Sequence, residues 1–197
     1  MSKHKQAWYV INGITIYRII AAPFLLILLF NGQHHIFKWL LGVSFFTDLI
    51  DGFLARKFKV TSVLGTKLDS VGDDLTVLVG VTGLFVLKFD FIKQHQIVFY
   101  ILLGLFVIQV SYAFIRYGKM TSFHTYLAKS AALLQGVFLL LVFFTDEPIL
   151  VLFYAAAGIT MLELIEETIM VHLLPTWQDN VKGIHEVLKK KRTPKRS

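Results

Sequence analysis

Apolar residues in this 197-residue chain are gathered into six runs, each close in length to a membrane-crossing helix. About 20 helical residues cross the roughly 30 Å hydrocarbon core of a bilayer. Hydrophobic residues make up 55% of the chain, more than a soluble domain of this length buries. The runs are Ile14–Phe30, Ile36–Arg56, Leu68–Leu87, Ile97–Ile115, Tyr126–Phe144 and Ile149–Leu174. We therefore expect a single all-α integral membrane domain with six transmembrane helices, the first of which is not a cleaved signal.

Positive charge is concentrated on one side of the predicted membrane. Most lysines and arginines lie near the termini or in the connections after the second and fourth runs, whereas the other side has Lys38, Lys88 and Lys93. Cytosolic segments are enriched in such residues, so both termini are expected in the cytosol. The basic tail, residues 182–197, is expected to be solvated and to associate with anionic lipid head groups rather than with nucleic acid.

The chain has no cysteine. This absence excludes disulfides, a cysteine-based zinc site and a thiol nucleophile. Any metal ion must therefore be bound through oxygen or imidazole ligands.

Acidic residues are concentrated at the junction of the second and third runs. Of the thirteen in the chain, five lie there: Asp48, Asp51, Asp69, Asp73 and Asp74. Ionisable side chains are costly inside membrane spans, so their presence indicates a functional site. On helices, the pair Asp48 and Asp51 is spaced i,i+3, and the pair Asp69 and Asp73 is spaced i,i+4, so each pair projects from one face.

Two facing carboxylate pairs would repel each other unless a cation or protons neutralised them. Hard divalent cations prefer such an all-oxygen environment. Arg56 supplies a planar charged fork that suits phosphate, and the small residues Gly52 and Ala55 leave room for a flat group. Gly65 suits a loop that approaches a ligand closely. Together these residues indicate a metal-bound diphosphate at the cytosolic edge.

The acidic segment reads Asp48-x2-Asp51-Gly52-x2-Ala55-Arg56-x8-Gly65-x3-Asp69-x3-Asp73. It resembles the signature of the CDP-alcohol phosphatidyltransferase family at every specified position. An earlier element, Asn12-x2-Thr15-x2-Arg18-x4-Pro23, is similar to the branch that contains phosphatidylglycerophosphate synthase.

This resemblance implies that a phosphatidyl group is transferred from CDP-diacylglycerol to a small alcohol or phospho-alcohol, releasing CMP. It implies two ions, Mg²⁺ or Mn²⁺, bound by Asp48, Asp51, Asp69 and Asp73, with Asp73 also the general base. The positions matched to CDP binding are Gly52, Ala55, Arg56 and Gly65. The family also suggests a homodimer, and a bacterial inner membrane is the expected location.

Three basic residues, Arg116, Lys119 and Lys129, flank or lie within the connection between the fourth and fifth runs. They are candidates for binding a phosphorylated acceptor such as glycerol 3-phosphate; the alternative is ordinary flanking charge. Asp69 is followed by Ser70, where family members that make phosphatidylglycerophosphate usually have Asp-Pro-x-Ala-Asp-Lys. Serine, inositol phosphate and inositol therefore remain open as acceptors.

A divalent-cation transporter is the rival class, because carboxylates also line ion pathways. The predicted site lies at one membrane edge beside Arg56, which would repel a permeating cation. In the sixth run, Glu163, Glu166 and Glu167 share one helix face. They are expected to pair with Arg18 or with the patch at Arg116 and Lys129.

Overall fold

Every regular element in the described part of the chain is an α helix. The structure, a computed structural model, describes residues 3–58, 63–121, 123, 125–178 and 181–192, without the side chains of 3–12, 48, 49, 51–58, 63–67, 69, 70, 74 and 190–192. The helices are α1 (Lys3–Phe30), α2 (His34–Phe58), α3 (Val63–Leu87), α4 (Phe89–Gln94), α5 (Gln96–Tyr117), α6 (Tyr126–Leu141), α7 (Leu150–Leu173) and α8 (Ile184–Arg192).

Each of the six apolar runs corresponds to one long helix, which confirms the all-α class. The ends differ from the prediction. Helix α1 begins eleven residues before the predicted Ile14, and α6 ends at Leu141 rather than Phe144, because residues 142–147 form turns and bends. The short helices α4 and α8 were not predicted, since neither is a long apolar run.

Two of these helices are long and apolar enough to cross a membrane, judged on length and composition over the described residues. They are the Gly13–Phe30 part of α1 and all of α5. Helix α7 is also 24 residues long, but it contains three glutamates. The fold is thus that of an all-α protein with two candidate spans, and the six-span topology stays a prediction.

The chain divides into two compact units. The first unit is Met1–Asp90 with Leu139–Glu147, and the second is Phe91–Phe138 with Pro148–Ser197.

In the first unit, α1 packs against both α2 and α3. Its core includes Leu25 and Leu29 of α1, Phe37 of α2 and Val79 of α3, all at most 1% exposed. The ring of Phe37 meets that of Phe143 edge-on, with centroids 5.5 Å apart. This packing fixes α1 beside the start of α3, where the third and fourth signature aspartates lie.

In the second unit, α5 and α8 both pack against α7. Gly118 follows the last residue of α5 and caps the helix: it has φ 65° and donates its backbone N–H to the Phe114 carbonyl. Glycine adopts this left-handed conformation without strain. A buried cluster joins the helix ends and the connection after α5: Ala113, Phe123, Met170, Val171, Leu174, Val181 and Val187.

Part of the predicted solvated tail is folded. Residues 184–192 form α8, and Val187 is only 3% exposed within the buried cluster of the second unit. Ile184 also packs against that cluster. Because Ile184 and Val187 are spaced i,i+3, they form a narrow apolar face on a helix whose last four residues are basic.

Candidate active site

The two halves of the acidic motif lie on neighbouring helices of the first unit. Asp48 and Asp51 are on α2, Asp69 and Asp73 are on α3, and the two helices are in contact. The side chains of Asp48, Asp51 and Asp69 lie outside the described residues, so the gathering of all four carboxylates stays a prediction. Where side chains are described, no group of three or more His, Cys, Asp or Glu residues could hold a metal ion.

The predicted CDP-binding positions also lie outside the described side chains. Gly52, Ala55 and Arg56 are in the last two turns of α2, and Gly65 is in the first turn of α3. The sequence placed Gly65 in a loop, whereas the structure places it within a helix. A role for Gly65 must therefore rest on its small size rather than on loop conformation.

Asp73, the predicted general base, is the signature aspartate whose side chain the structure describes. Its carboxylate Oδ1 accepts a hydrogen bond from Nη1 of Arg18 on α1. The Arg18 side chain is 0% exposed and the Asp73 side chain is 44% exposed. A buried cation therefore lies behind a carboxylate that remains accessible to a ligand.

From the sequence, Arg18 belongs to a family-like element and is one of the cations expected to pair with the glutamates of the sixth run, the other being the patch at Arg116 and Lys129. The structure instead pairs Arg18 with Asp73, 55 positions away. One sequence feature could have indicated this pair: Arg18 and Asp73 are both ionisable side chains in mainly apolar helices.

The three candidate acceptor-binding residues lie in the second unit, where α5 and α6 meet their connection. Arg116 donates from Nε and Nη2 to the Leu174 carbonyl at 3.3 and 3.2 Å, next to the end of α7. Nζ of Lys119 lies 5.2 Å from the centroid of the Trp177 ring. Nζ of Lys129 lies 5.9 Å from the centroid of the Tyr126 ring. All three side chains are exposed. Arg116 thus donates to the backbone near the end of α7, whereas the ammonium groups of the two lysines lie near aromatic rings.

The connection after α5 is fixed to α7 by buried polar groups. Oε2 of Glu167 accepts hydrogen bonds from Gln109 Nε2 at 2.7 Å and from Thr121 Oγ1 at 2.9 Å. Gln109 Nε2 also donates to Thr121 Oγ1 at 2.7 Å. Glu167 and Gln109 are 7% and 3% exposed. This network fixes the segment that carries Lys119.

The predicted pairing of the glutamates with cations was therefore wrong for Glu167, whose partners are neutral. Glu166 contacts the start of α8, where its Oε1 accepts a hydrogen bond from the backbone N–H of Ile184 at 3.0 Å. That N–H belongs to the first residue of α8, where helical donors have no partner within the helix. The partners of Glu166 and Glu167 are thus neutral hydrogen-bond donors in a helix, in a loop and at a helix end. Because such donors have no charge, the sequence gives no indication that they pair with these glutamates.

Comparisons with known proteins agree with the motif. The family model for CDP-alcohol phosphatidyltransferase matches residues 8–171, which includes the whole acidic segment. No solved structure matches the chain at a significant level.

Relatives of known name match over shorter stretches. A CDP-diacylglycerol--glycerol-3-phosphate 3-phosphatidyltransferase of Wigglesworthia glossinidia brevipalpis is 34% identical over 70 residues, covering 34% of this chain and 38% of the relative. The protein of that name from Haemophilus influenzae is 32% identical over 91 residues, 45% of each chain. A CDP-diacylglycerol--inositol 3-phosphatidyltransferase of Saccharomyces cerevisiae is 38% identical over 66 residues, 34% of this chain and 30% of the relative.

The matched part of the chain thus spans less than half the length of each of these relatives. The family model, in contrast, extends over most of the chain and includes both helices that carry the aspartates. The chain belongs to the CDP-alcohol phosphatidyltransferase family.

Proposed function

We propose that this protein transfers a phosphatidyl group from CDP-diacylglycerol to a small alcohol and releases CMP. The observation that carries the proposal is the acidic motif on α2 and α3, complete at every specified position and lying within the matched family model. Membership of the family supports the donor chemistry, and Asp73 supports it further because its carboxylate is accessible.

In the proposed reaction, the acceptor hydroxyl oxygen attacks the phosphorus that bears the diacylglycerol. The new P–O bond forms as the bond to the CMP phosphate breaks, and the hydroxyl proton passes to the Asp73 carboxylate. CMP leaves with the electron pair of the broken bond. Positioning and charge stabilisation supply most of the catalysis in such a step, and no covalent enzyme intermediate is required.

The proposed ligands of two divalent cations, Mg²⁺ or Mn²⁺, are Asp48, Asp51, Asp69 and Asp73. Carboxylate oxygens are the donors that these hard ions prefer, so the donor set fits the group. Bound there, the ions would neutralise diphosphate charge and make CMP a better leaving group. Gly52, Ala55, Arg56 and Gly65 are proposed to bind the CDP group.

We propose further that the protein lies in a membrane, with six spans and both termini in the cytosol. Exposed apolar side chains on α5 support a lipid environment: Ile97, Leu103 and Ile115 are 70%, 59% and 84% exposed. Apolar surface of this kind is stable against hydrocarbon and unfavourable in water. A homodimer, contacts with anionic lipid head groups and a bacterial inner membrane complete this proposal.

Glycerol 3-phosphate is the proposed acceptor. The names of the two bacterial relatives support this choice, and Arg116, Lys119 and Lys129 supply positive charge for a phosphate. Inositol is the second candidate, supported by the name of the yeast relative. Serine and inositol phosphate remain alternatives because Ser70 follows Asp69.

A panel of acceptors tests the proposal directly. Purified protein in mixed micelles would receive CDP-diacylglycerol with Mg²⁺ or Mn²⁺, and CMP release would be measured with glycerol 3-phosphate, serine, inositol 1-phosphate and inositol. We expect metal-dependent CMP release with glycerol 3-phosphate and a matching phospholipid by mass spectrometry. Release with another acceptor alone would overturn the acceptor assignment, and no release with any acceptor would overturn the proposed function.

A further inference from the structure

Arg18 is a charged residue placed within an apolar helix and shielded completely from solvent. It lies in the Gly13–Phe30 segment of α1, which is long and apolar enough to cross a membrane, and its side chain is 0% exposed. Burying a cation without a partner carries a large free-energy cost. Such a residue must therefore be held by an anion or by several hydrogen-bond acceptors.

Among the described side chains, the carboxylate of Asp73 is an anion that holds Arg18, through the Nη1 to Oδ1 contact. A guanidinium is planar and permanently charged, so it fixes both the charge and the orientation of a carboxylate. A carboxylate has two oxygens and about four lone-pair sites, so binding at one oxygen is compatible with chemistry at the other.

The Arg18 guanidinium also lies close to Gly72 of α3. At Gly72, an added Cβ would lie 3.5 Å from each of Cζ, Nε and Nη2 of Arg18. The guanidinium therefore lies beside the glycine that directly precedes Asp73, with room for no more than a methyl group between them. Two neighbouring positions of α3 thus face the same buried cation: Asp73 binds it through its carboxylate, and Gly72 lies beside it with no side chain in between.

We propose that Arg18 is a positioning residue for the reaction, which holds the Asp73 carboxylate where it meets the acceptor hydroxyl and the bound cation. This inference rests on the proposed function, in which Asp73 is the base. Arg18 contacts the Asp73 carboxylate from its enclosed side, because the Arg18 side chain is 0% exposed while the Asp73 side chain is 44% exposed. Misplacement of a reacting group by about 1 Å can lower a rate about 100-fold. We therefore expect loss of the contact between Arg18 and Asp73 to lower kcat strongly.

A purely structural role for Arg18 makes different predictions. Charge neutralisation alone would affect folding and would leave the kinetics of correctly folded protein unchanged. A positioning role lowers kcat with little change in the KM for CDP-diacylglycerol, and its effect disappears when Asp73 is already disabled. The two roles are therefore separable by a double-mutant cycle.

The experiment compares wild type with Arg18→Met, Arg18→Lys, Asp73→Asn and the double variant Arg18→Met/Asp73→Asn. Thr76→Val is the matched control, because Thr76 is buried on α3 one turn from Asp73 and donates to the Gly72 carbonyl at 2.8 Å. We expect Arg18→Met to lower kcat about 100-fold, with the KM for CDP-diacylglycerol within about threefold. Arg18→Lys, which keeps the charge, should fall between Arg18→Met and wild type, and Thr76→Val should keep wild-type kcat.

In the double variant, kcat should lie within about threefold of Asp73→Asn alone, since Arg18 acts through Asp73. This variant has no uncompensated charge in the pair, so it tests the inference even where Arg18→Met folds poorly. If Arg18→Met lowered kcat by a further factor of about 100 in the Asp73→Asn protein, the inference would be overturned. An Arg18→Met protein with wild-type kcat would also overturn it.

A readout without substrate uses Mn²⁺ alone, titrated into each variant and followed by electron paramagnetic resonance. Removing a cation as such would favour Mn²⁺ binding, whereas displacing the Asp73 carboxylate weakens it. We expect Arg18→Met to raise the Mn²⁺ dissociation constant, and an unchanged or lower constant would overturn the inference. If wild type itself releases no CMP, the proposed function fails; if wild type and Arg18→Met are equally active, only the inference about Arg18 fails.

Discussion

The guanidinium of Arg18 faces Gly72, with 3.5 Å between a Cβ added at position 72 and the Arg18 Cζ. That separation is an ordinary van der Waals contact, so one methyl group fits there and a longer side chain does not. The size of residue 72 therefore controls whether Arg18 reaches Asp73.

We expect Gly72→Ala to keep turnover within about twofold and Gly72→Leu to lower it about tenfold or more, because overpacking costs about 1–3 kcal/mol and displaces the guanidinium. CMP release from CDP-diacylglycerol measures both variants, and size-exclusion chromatography checks their folding. Equal turnover in well-folded Ala and Leu variants would show that the contact is unimportant.

The buried network around Glu167 predicts an effect on stability. Glu167→Gln keeps a carbonyl oxygen that can accept from Gln109 and Thr121. Glu167→Leu leaves one of the two buried Gln109 amide N–H groups without an acceptor, while the other still donates to Thr121. An unsatisfied buried donor costs about 1–3 kcal/mol.

The thermal unfolding midpoint in detergent should therefore be lower for Glu167→Leu than for Glu167→Gln. Glu163→Gln serves as a control, because it removes a charge one turn earlier on the same helix. A Leu variant as stable as the Gln variant would contradict this reading of the network.

Two glycines in long helices predict opposite responses to the same change. An added Cβ at Gly83 would lie 2.7 Å from Cζ of Phe37 and 3.0 Å from Cζ of Phe143, while Gly104 has no such neighbour within 4 Å. Phe37 is 0% exposed, so its ring has little room to move.

Gly83→Ala should destabilise the protein by about 1–3 kcal/mol, the usual cost of overpacking. Gly104→Ala should be neutral or slightly stabilising, because alanine favours helix. Thermal unfolding of both variants in the same detergent is the measurement. Equal midpoints would contradict the close packing of α2 against α3 at Gly83.

The contacts of the basic residues separate a structural role from a binding role. Arg116 donates to the Leu174 carbonyl, so Arg116→Ala is expected to lower the unfolding midpoint. Lys129 is exposed with its ammonium near an aromatic ring, so Lys129→Ala is expected to act on the acceptor instead.

For Lys129→Ala we expect the KM for glycerol 3-phosphate to rise about tenfold, the value of one charge-assisted contact, with the KM for CDP-diacylglycerol unchanged. Lys93→Ala is the control, because Lys93 lies on the side predicted to be opposite. Steady-state kinetics in both substrates check this, and an unchanged acceptor KM would remove Lys129 from the binding site.

The sequence predicted the long helices well because a run of about 20 apolar residues is itself the physical requirement for a span. It predicted helix ends less well. Residues 3–12 extend α1 although they are partly polar, and α8 ends in four basic residues and packs through a narrow face at Ile184 and Val187. These ends depend on tertiary packing, which a hydropathy pattern does not contain.

For the candidate site, the motif spacing predicted which residues carry the chemistry but not which residues support them. The contact between Arg18 and Asp73 joins two helices across 55 positions, and many cations in the chain could have served as the partner. Glu167 pairs with Gln109 and Thr121, which are neutral and therefore give no charge signal. Supporting contacts of this kind become visible only once the helices are placed beside each other.

In the proposed reaction, the carboxylate of Asp73 accepts the proton of the acceptor hydroxyl during phosphatidyl transfer. The most direct measurement is CMP release from CDP-diacylglycerol and glycerol 3-phosphate by wild type and by Asp73→Asn, at saturating Mg²⁺ or Mn²⁺ and with folding verified by chromatography. Wild type should turn over, and the nearly isosteric Asp73→Asn protein should lose at least about 100-fold in kcat, as expected for removal of a general base. Wild-type turnover in Asp73→Asn would contradict the account.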